Sequence, residues 1–437
     1  HLEAGATLLG STNRVDYIGL HRWLALILAD GQTDIAITGQ GTIDGQGREL
    51  ALNIDALYHA GTMPEMNYNH RRHRPNEPER PQIIEFVKCQ RVKISDVTIK
   101  NAACWVQTYA LCDHLTIDSI WVSSNAFWNN DGIDVDDCTN VRISNCDVDA
   151  ADDGICLKSD YADACCDNVL IENCRVRSSA SAVKFGTASY GGFRNVTVRN
   201  ISVYDNYRSA IALEAVDGGI LENIDVSDIY AFNTGNAIFI RLGHRNVDGT
   251  VGTARNIRIR RVRAEIPFER PDLAYDLRAS QPSFMHNPIP ASITGIPGHC
   301  VENVTLEDIE ITYPGRANKG MAYIPLSRLS AVPENESGYP EFTMFEELPA
   351  WGLYVRHAQG LTLKNIWLRL KDVDFRPAYV FDDVEDLDMD AINLPPGLQE
   401  PHVILRDVRS ARVRIGDTQM VQTREKCSEI AIDAGRV

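Results

Sequence analysis

Two stretches of this sequence are near copies of one another: Val141-Arg-Ile-Ser-Asn-Cys-Asp-Val148 and Val169-Leu-Ile-Glu-Asn-Cys-Arg-Val176. In each of them apolar and polar residues alternate, which is the period of a β-strand with one buried face. An asparagine precedes each stretch, and Asn140, Asn168 and Asn195 follow one another at intervals of 28 and 27 residues. A spacing this regular indicates a solenoid. Related stretches begin at Val92, Leu115, Val196, Ile257, Val304 and Leu361.

The length of the repeat predicts the fold class. A coil of this length is too long for a hairpin meander with two-residue turns, and the repeats lack the amphipathic helices of βαβ units. It suits a coil of two or three short strands, so we expect an all-β chain that folds as one parallel β-helix over residues 1–437. Asparagines at equivalent turns are expected to stack and to bond side chain to side chain. Loop insertions are predicted near residues 57–81, 267–297 and 314–349, where they would build walls around a cleft.

The composition limits the partners and the chemistry. The formal charge is −17, with 60 acidic and 43 basic residues; this argues against nucleic acid or an anionic membrane as partner, because phosphate neutralisation needs a basic surface. No stretch approaches the roughly 18 apolar residues of a membrane span. The 11 cysteines are an odd number and lack metal-type spacing, so a full disulfide framework is not expected. No phosphate loop or metal cluster stands out in the sequence, and no metal site and no cofactor are predicted. Cys146 and Cys174 are expected to stack as buried thiols, and Cys165 with Cys166 is the best candidate for a bridge or a reactive thiol.

Three aspartates are brought together when successive coils are aligned. The apolar residues that set this register are Ile133, Ile155, Val183, Ile211 and Ile238. In this register Asp131 and Asp153 lie one rung apart, about 4.8 Å, and Asp152 lies beside them. Carboxylates this close raise one another's pKa, so one can stay protonated while another stays ionised, which is the division of labour that glycoside hydrolysis needs. An Asp-Gly dipeptide alone would indicate only a turn.

The same residues carry a resemblance to a known family. Asn129-Asn-Asp-Gly-Ile-Asp134, followed by Asp152-Asp153, resembles the Asn-Xaa-Asp and Asp-Asp motifs of the polygalacturonase-like glycoside hydrolases of family 28. Two further segments are similar to those of its exo-acting bacterial members: Arg80-Pro-Gln-Ile-Ile-Glu-Phe86 and Asn101-Ala-Ala-Cys-Trp105. The resemblance extends over roughly residues 39–243.

The resemblance implies a fold and a mechanism. The implied fold is a right-handed parallel β-helix, a solenoid of the pectin-lyase-like kind. The implied reaction is hydrolysis with inversion, in which Asp152 is the general acid and Asp131 and Asp153 position and deprotonate the attacking water. Inverting enzymes usually hold their carboxyl groups ~6.5–9.5 Å apart and retaining enzymes ~5–5.5 Å apart. A single rung is closer to the shorter spacing, so inversion rests here on the family.

The family's usual carboxylate clamp is missing from this sequence. Members that cut galacturonate usually carry Gly-His-Gly on the coil after the Asp-Asp motif and Arg-Ile-Lys on the coil after that. Here these columns read Ala180-Ser-Ala182 and Ala212-Leu-Glu214. Glu214 would repel an anion at this position, whereas its carboxyl group can bond the hydroxyls of a neutral sugar.

Several polar residues near the motif are candidates for substrate binding. Lys158 and Arg241 take the position of Glu214 on other coils, and Lys184 precedes that position on its own coil. These cations either face the cleft and bind an anionic sugar or form a structural charge ladder. The basic run at residues 71–80 is either a solvated loop or a wall that grips a negative sugar. Trp105 and Trp128 are candidates for stacking on sugar rings. The predicted substrate-binding residues are Asn129, Lys158, Lys184, Glu214, Arg241 and Arg74.

The first hypothesis is a glycosidase that trims a pectin-type or other acidic polysaccharide or oligosaccharide, by exo action. Two alternatives stay open. A β-helix polysaccharide lyase would need a Ca²⁺ site or a base poised at C5, and a glycan-binding solenoid would have no turnover. The enzyme is expected in the periplasm or outside the cell, with its signal peptide absent from this chain. We expect a monomer or weak oligomer whose partner is its substrate, with no nucleic acid and no membrane.

Overall fold

The computed structural model of the chain describes residues 1–272, 287–398 and 400–435. Within these residues the chain is mostly strand and turn, with one α-helix, α1, at Gly47–His59. Short 3-10 helices span Arg14–Asp16, Glu65–Asn67, Glu77–Glu79, Lys319–Met321, Leu326–Ala331 and Thr418–Met420. Among the described residues, no helix combines the length and the apolar character that a bilayer crossing requires.

The strands follow one another along the whole described chain. Those of the first half are Thr7–Leu9 (β1), Ile18–Gly19 (β2), Leu24–Asp30 (β3), Ala36–Thr38 (β4), Thr42–Asp44 (β5), Tyr68–Asn69 (β6), Arg74–Pro75 (β7), Gln82–Val87 (β8), Gln90–Ser95 (β9), Thr98–Lys100 (β10), Gln107–Ala110 (β11), Asp113–Asp118 (β12), Trp121–Ser124 (β13), Ile133–Asp136 (β14), Thr139–Ser144 (β15), Asp147–Ala150 (β16), Ile155–Ser159 (β17), Cys166–Ser178 (β18) and Val183–Ser189 (β19). Those of the second half are Gly192–Ala215 (β20), Ile220–Leu242 (β21), Thr253–Glu265 (β22), Ala291–Thr294 (β23), Val301–Tyr313 (β24), Leu353–Leu370 (β25), Tyr379–Asn393 (β26), Val403–Ile415 (β27), Val421–Thr423 (β28) and Ser428–Ala434 (β29).

These strands form a right-handed parallel β-helix, as the repeat predicts. Most strands pair in parallel with strands one coil earlier and one coil later; β14, for example, pairs with β11 and with β17. Two antiparallel pairs, β2 with β3 and β6 with β7, lie near the N-terminal end of the chain. Strands wound in this way place equivalent residues of successive coils above one another, at the usual spacing of about 4.8 Å.

The interior of the coils is a stack of apolar side chains in the predicted register. The pairs Ile133–Ile155, Ile155–Val183, Val183–Ile211 and Ile211–Ile238 are direct partners in the ladder, and all five side chains are buried. Burial of each such side chain contributes about 1.5–3 kcal/mol. Because strand side chains alternate, the residues between these positions point outward onto the face that carries the cleft.

Asparagines form two ladders at the turns, which confirms the predicted stacking. In the first ladder the Asn168 amide donates to Asn140 Oδ1 at 2.7 Å, and Asn195 donates to Asp167. The same ladder continues through Asn223, Asn256 and Asn303, and a second ladder contains Asn145, Asn173 and Asn200. All of these asparagines have φ between 52° and 58°, a left-handed conformation that asparagine tolerates better than other non-glycine residues.

Replacing Asn168 by alanine is expected to lower the free energy of unfolding by about 1–2 kcal/mol. The variant loses one side-chain hydrogen bond and forces a Cβ-bearing residue without a local acceptor into the left-handed region, at φ +56°. Chemical denaturation measures the difference. Asn168→Gly is the matched control, because it accepts this φ and loses only the hydrogen bond; a glycine variant no more stable than the alanine variant would contradict this account.

The structure differs from the predicted loops and coils in two respects. The repeat pattern did not reveal α1, whose buried residues Leu50, Ala51 and Ile54 pack on Phe127 next to the cleft. The segment predicted as a loop at 267–297 contains β23, because residues 291–294 pair with β21 and β25; residues 273–286 of this segment lie outside the described residues. The segment 314–349 is a loop with two 3-10 helices.

Of the two alternatives for Cys165 and Cys166, a bridge or a reactive thiol, the bridge is not formed, and all 11 cysteines are free. Adjacent residues of an extended chain point to opposite sides, so Cys166 enters the core while Cys165 stays outside it. Cys146 and Cys174 are buried on neighbouring coils, as expected.

Candidate active site

The structure brings Asp131, Asp152 and Asp153 to one place. The amide N–H of Gly132 donates to the carbonyl of Asp153 at 2.9 Å, so the two Asp-Gly turns lie on adjacent rungs. One carboxylate oxygen from each aspartate lies within 4.8 Å of the other two. Asp131 and Asp153 are buried, and Asp152 is half-buried. The three acidic groups therefore share a small volume but differ in their access to solvent.

The glycines of the two Asp-Gly turns are required by close packing rather than by a left-handed turn. A Cβ on Gly132 would lie 2.6 Å from the carbonyl oxygen of Gly154, and a Cβ on Gly154 would lie 2.7 Å from that of Ala182. Neither glycine has a positive φ. Each aspartate is thus followed by a residue that lets the next coil approach closely, which explains why the dipeptide recurs at these two rungs.

Asp152 is surrounded by neutral hydrogen-bond donors. Its carboxylate accepts from Asn129 Nδ2 at 3.4 Å and from the N–H of Asp153 at 3.0 Å. Asn129 is in turn held by the buried guanidinium of Arg80, which donates to Asn129 Oδ1 at 2.7 Å. Asn130 is also buried, and its amide donates to two carbonyls of the preceding coil. The Asn-Asn-Asp segment is therefore fixed by its own side chains.

Asp131 shares a buried lysine with a second carboxylate. Lys158 Nζ lies 3.5 Å from Asp131 Oδ2 and 3.1 Å from Asp134 Oδ1, and 4.5 Å from the centre of the Trp105 ring. Burial raises the pKa of Asp131 well above its usual range, and the nearby charges of Asp134 and Asp152 raise it further. Asp131 is therefore one of the groups that compete for a proton in the cluster.

Asp153 has the opposite electrostatic environment. Burial by itself would raise the pKa of Asp153, but Lys184 and then Lys158 and Arg208 outweigh it and lower that pKa. Lys184 Nζ lies 3.1 Å from Asp153 Oδ2, and the N–H of Ser181 donates to Asp153 Oδ1 at 3.0 Å. Asp153 is therefore the carboxyl group of the three that is held ionised.

The loop at 314–349 reaches into the cleft beside these aspartates. The Tyr339 hydroxyl lies 3.3 Å from Lys184 Nζ, and Glu341 forms an ion pair with Arg208 at 3.0 Å. Arg208 was not predicted as a site residue, although the repeat could have revealed it. Arg208 takes the position that Asp152 has two coils earlier, and its backbone N–H donates to the carbonyl of Ala180 on the coil between them. Tyr339 lies in an insertion without register, so the repeat carries no signal for it.

All four predicted substrate-binding cations have their charges engaged by the protein: Lys158 and Lys184 by the aspartates, and Arg241 and Arg74 by other groups. Arg241 lies outside the cluster: its guanidinium donates to the carbonyls of Gly295, Glu334 and Asn335, and so anchors the same loop. Arg74 is buried, pairs with Glu77 at 2.9 Å and stacks over the Trp128 ring at 4.8 Å. Asn129, Lys158, Lys184 and Glu214 lie around the aspartates.

Comparison with known proteins identifies the family. The model of glycosyl hydrolases family 28 matches residues 7–265. The chain belongs to this family. A probable polygalacturonase from Vitis vinifera is 26% identical to this family 28 chain over 224 residues, which are 51% of the chain and 38% of the relative. A probable exopolygalacturonase B from Aspergillus fumigatus is 24% identical over 302 residues, 65% of the chain and 60% of the relative.

The family 28 chain thus spans less than two thirds of the length of these two relatives. Among solved structures, an exopolygalacturonase from Thermotoga maritima is similar with a TM-score of 0.54 and 19% sequence identity, over 84% of this chain and 79% of that one. At this identity the likeness concerns the fold, and it agrees with the parallel β-helix described above.

Glu214 occupies a position where a cation would be expected from the family resemblance. It is buried, its Oε2 lies 3.9 Å from Lys184 Nζ, and this oxygen has no hydrogen-bond partner among the described residues. Burial raises the pKa of Glu214 to about 8, although Lys184 opposes the shift. The side chain is therefore neutral over the acidic and neutral pH range and carries no charge that repels Asp153.

Replacing Glu214 by glutamine is expected to change how stability depends on pH. The pKa of Glu214 is about 8 in the folded chain against 4.5 ordinarily, so its proton stabilises the wild type fully below pH ~4.5, and that contribution is lost as pH rises towards 8. Glutamine cannot ionise. The stability of the variant relative to wild type should therefore rise with pH, by about 1 kcal/mol per pH unit across this window.

Urea denaturation of both proteins at pH 5 and pH 8 measures this difference. Glu336→Gln is the matched control, because Glu336 is exposed on the loop at 314–349, and its stability difference from wild type should be the same at both pH values. Parallel pH profiles for Glu214→Gln and wild type would show that Glu214 has no raised pKa.

Proposed function

We propose that this chain is a glycosidase that hydrolyses a pectin-type or other acidic polysaccharide or oligosaccharide, with Asp152 as the general acid and Asp131 and Asp153 activating the attacking water. The observation that carries this proposal is the environment of the three aspartates, which lie within one small volume yet differ in burial and in charged partners. Hydrolysis needs one protonated and one ionised carboxyl group at the scissile bond. The family and the names of its polygalacturonase relatives support the same reaction.

Asp152 suits the acid because it is the most accessible of the three and contacts neutral donors rather than a lysine. Repulsion among the three carboxyls keeps a proton in the cluster, and Asp152 can present that proton to a leaving group. Asp153, held ionised by Lys184, suits the base that takes the proton of the attacking water. Asp131 lies on the adjacent rung and is placed to hold the same water by a hydrogen bond.

Exo action is supported by two walls on either side of the aspartates. On one side Arg74 and Trp128 stack beside Asn129, and on the other Tyr339 and Glu341 reach the cations next to Asp153. A long polysaccharide needs an open groove, whereas a cleft bounded on both sides favours a chain end. The cations Lys158, Lys184 and Arg74 are proposed to offset the negative charge of the carboxylates in and around the site, so that an acidic chain can approach.

Inversion is proposed on the family resemblance alone. The carboxylate oxygens lie within 4.8 Å of one another, closer than the roughly 6.5–9.5 Å typical of inverting pairs, so their spacing does not itself support inversion. The proposal also includes export to the periplasm or the extracellular space, where such polysaccharides occur, and action as a monomer or weak oligomer.

The test is a panel of pectic, rhamnogalacturonan and sulfated glycans, with products separated by chromatography and their anomeric protons followed by NMR. We expect the enzyme to release mono- or disaccharides from at least one acidic glycan within the first minutes. The anomeric configuration of the product should be inverted relative to that of the glycosidic bond that was cut. Unsaturated products that absorb in the ultraviolet, formed only with Ca²⁺, would instead indicate a lyase. Binding to a glycan without any turnover would indicate a non-catalytic solenoid.

A further inference from the structure

Lys184 is an ammonium group enclosed by protein acceptors. Its side chain is 1% exposed, and its Nζ lies 3.1 Å from Asp153 Oδ2, 3.3 Å from the Tyr339 hydroxyl and 3.9 Å from Glu214 Oε2. An ammonium has three N–H donors; here Asp153 and Tyr339 lie within hydrogen-bond distance, and the Glu214 carboxyl covers a further side of the group. A buried charge of this kind is stable only when it is paired and its donors are occupied. Lys184 therefore has no exposed donor to offer to a sugar.

The three aspartates differ in their cationic partners. Lys184 forms an ion pair with Asp153, and Lys158 forms ion pairs with both Asp131 and Asp134. No lysine or arginine among the described residues forms an ion pair with Asp152. The group that must be ionised to deprotonate water is thus the group with its own lysine, and the group that must hold a proton has none. The titratable and charged groups that act on Asp153 are Lys184, Lys158, Arg208, Asp131, Asp134, Asp152 and Glu214.

We propose that Lys184 is a positioning residue, which keeps Asp153 ionised and aimed at the attacking water and does not bind the substrate. The inference rests on the proposed function, because it assigns Asp153 the role of base. Tyr339 contacts the ammonium from the loop side, and Glu214 encloses it from the next coil without a hydrogen bond.

Glu214 supports this arrangement because it does not compete for the charge of Lys184. Its Oε2 is 3.9 Å from Lys184 Nζ, too far for a hydrogen bond, while Asp153 is 0.8 Å closer. Burial raises the pKa of Glu214 to about 8, so its carboxyl is mostly protonated at pH values below that. The positive charge is therefore directed at Asp153 throughout the acidic range in which a glycosidase base must be ionised. Gly186 leaves room for the Glu214 carboxyl, since a Cβ there would lie 3.0 Å from Oε2.

The test compares Lys184→Gln, Lys184→Met and Lys184→Arg with wild type, by the pH dependence of kcat and kcat/KM on the best substrate of the panel. Without the cation the pKa of Asp153 rises, so the acidic limb of kcat/KM should move up by about 1 pH unit or more in the glutamine and methionine variants. At the pH optimum kcat should fall roughly 10–100-fold with KM within about 3-fold of wild type. Lys184→Arg retains the charge and should restore the acidic limb.

The Lys184→Gln variant keeps a hydrogen-bond donor for Asp153. If the methionine variant does not fold, the pH profile of the glutamine variant alone tests the inference. Glu336→Gln, on the exposed surface of the same loop, serves as the control with wild-type kinetics. A rise in KM at constant kcat, with the acidic limb unmoved, would make Lys184 a substrate ligand and overturn the inference. Failure of the proposed function is a separate result: wild type would then hydrolyse no glycan in the panel.

Discussion

Replacing Asp152 by asparagine is expected to lower kcat by about 10²–10⁴-fold, the usual contribution of a general acid, with the fold retained. Asparagine has the size of aspartate, and Asp152 is only half-buried with N–H groups as neighbours, Nδ2 of Asn129 and the backbone of Asp153. The variant still fills the site but has no proton to give to a leaving group. Initial rates of product release measure kcat, and circular dichroism with thermal unfolding measures the fold.

Asp147→Asn is the matched control for this variant. Asp147 lies on the same coil but outside the cleft, where it pairs with Arg175 at 3.3 Å, so its loss should leave kcat unchanged. A substrate whose leaving group needs no protonation, such as an activated aryl glycoside, should recover much of the lost rate in Asp152→Asn. If Asp152→Asn keeps more than about a tenth of the wild-type kcat, Asp152 is not the general acid.

Replacing Arg80 by methionine is expected to lower the free energy of unfolding by about 3–5 kcal/mol and to reduce kcat as well. The Arg80 side chain is completely buried, and its guanidinium donates to the carbonyls of Pro75, Ala103 and Trp128 and to Asn129 Oδ1. Methionine fills the volume but leaves these buried acceptors without a donor, each at a cost of about 1–3 kcal/mol before relaxation. Because Asn129 bonds Asp152, the catalytic carboxyl loses its support too.

Chemical denaturation measures the stability of Arg80→Met, and kinetics on the folded fraction measures kcat. Arg71→Met is the matched control: Arg71 belongs to the same basic run but is exposed, so its removal should change stability by less than about 0.5 kcal/mol. Stability of Arg80→Met within 1 kcal/mol of wild type would show that solvent satisfies these carbonyls and that Arg80 is not a structural centre of the wall.

The coils could be predicted from the sequence because each coil repeats the same physical requirement. Apolar residues at alternate positions must fill the interior, and asparagines must occupy left-handed turns, so Asn140 and Asn168 together with Ile133 and Ile155 already define the register. Once the register is known, the proximity of Asp131 and Asp153 follows without any knowledge of the rest of the chain. The fold and the three-carboxylate cluster are local consequences of the repeat.

The insertions that form the walls could be predicted, but the contacts of their side chains could not. Tyr339 reaches Lys184 from 155 positions away along the chain, and Arg80 reaches Asn129 from 49; nothing periodic relates these pairs. The basic run at residues 71–80 has the composition of a solvated loop, yet Arg74 and Arg80 are buried because carbonyls and carboxylates of neighbouring segments surround them. Charge by itself indicates exposure, and only the three-dimensional contacts reveal such compensation.

The asparagine ladders affect how this protein can be made. Asn195, Asn200 and Asn303 each begin an Asn-Xaa-Ser/Thr triplet, the acceptor of N-linked glycans in a eukaryotic secretory pathway. In the folded chain each of these amide nitrogens donates to a residue of the previous coil, at 2.7–3.2 Å. A sugar attached before folding would occupy that nitrogen, in a gap of about 4.8 Å between coils. Glycan transfer and closure of the solenoid therefore compete for the same atoms, and expression in a host that glycosylates its secreted proteins would oppose folding at these three turns.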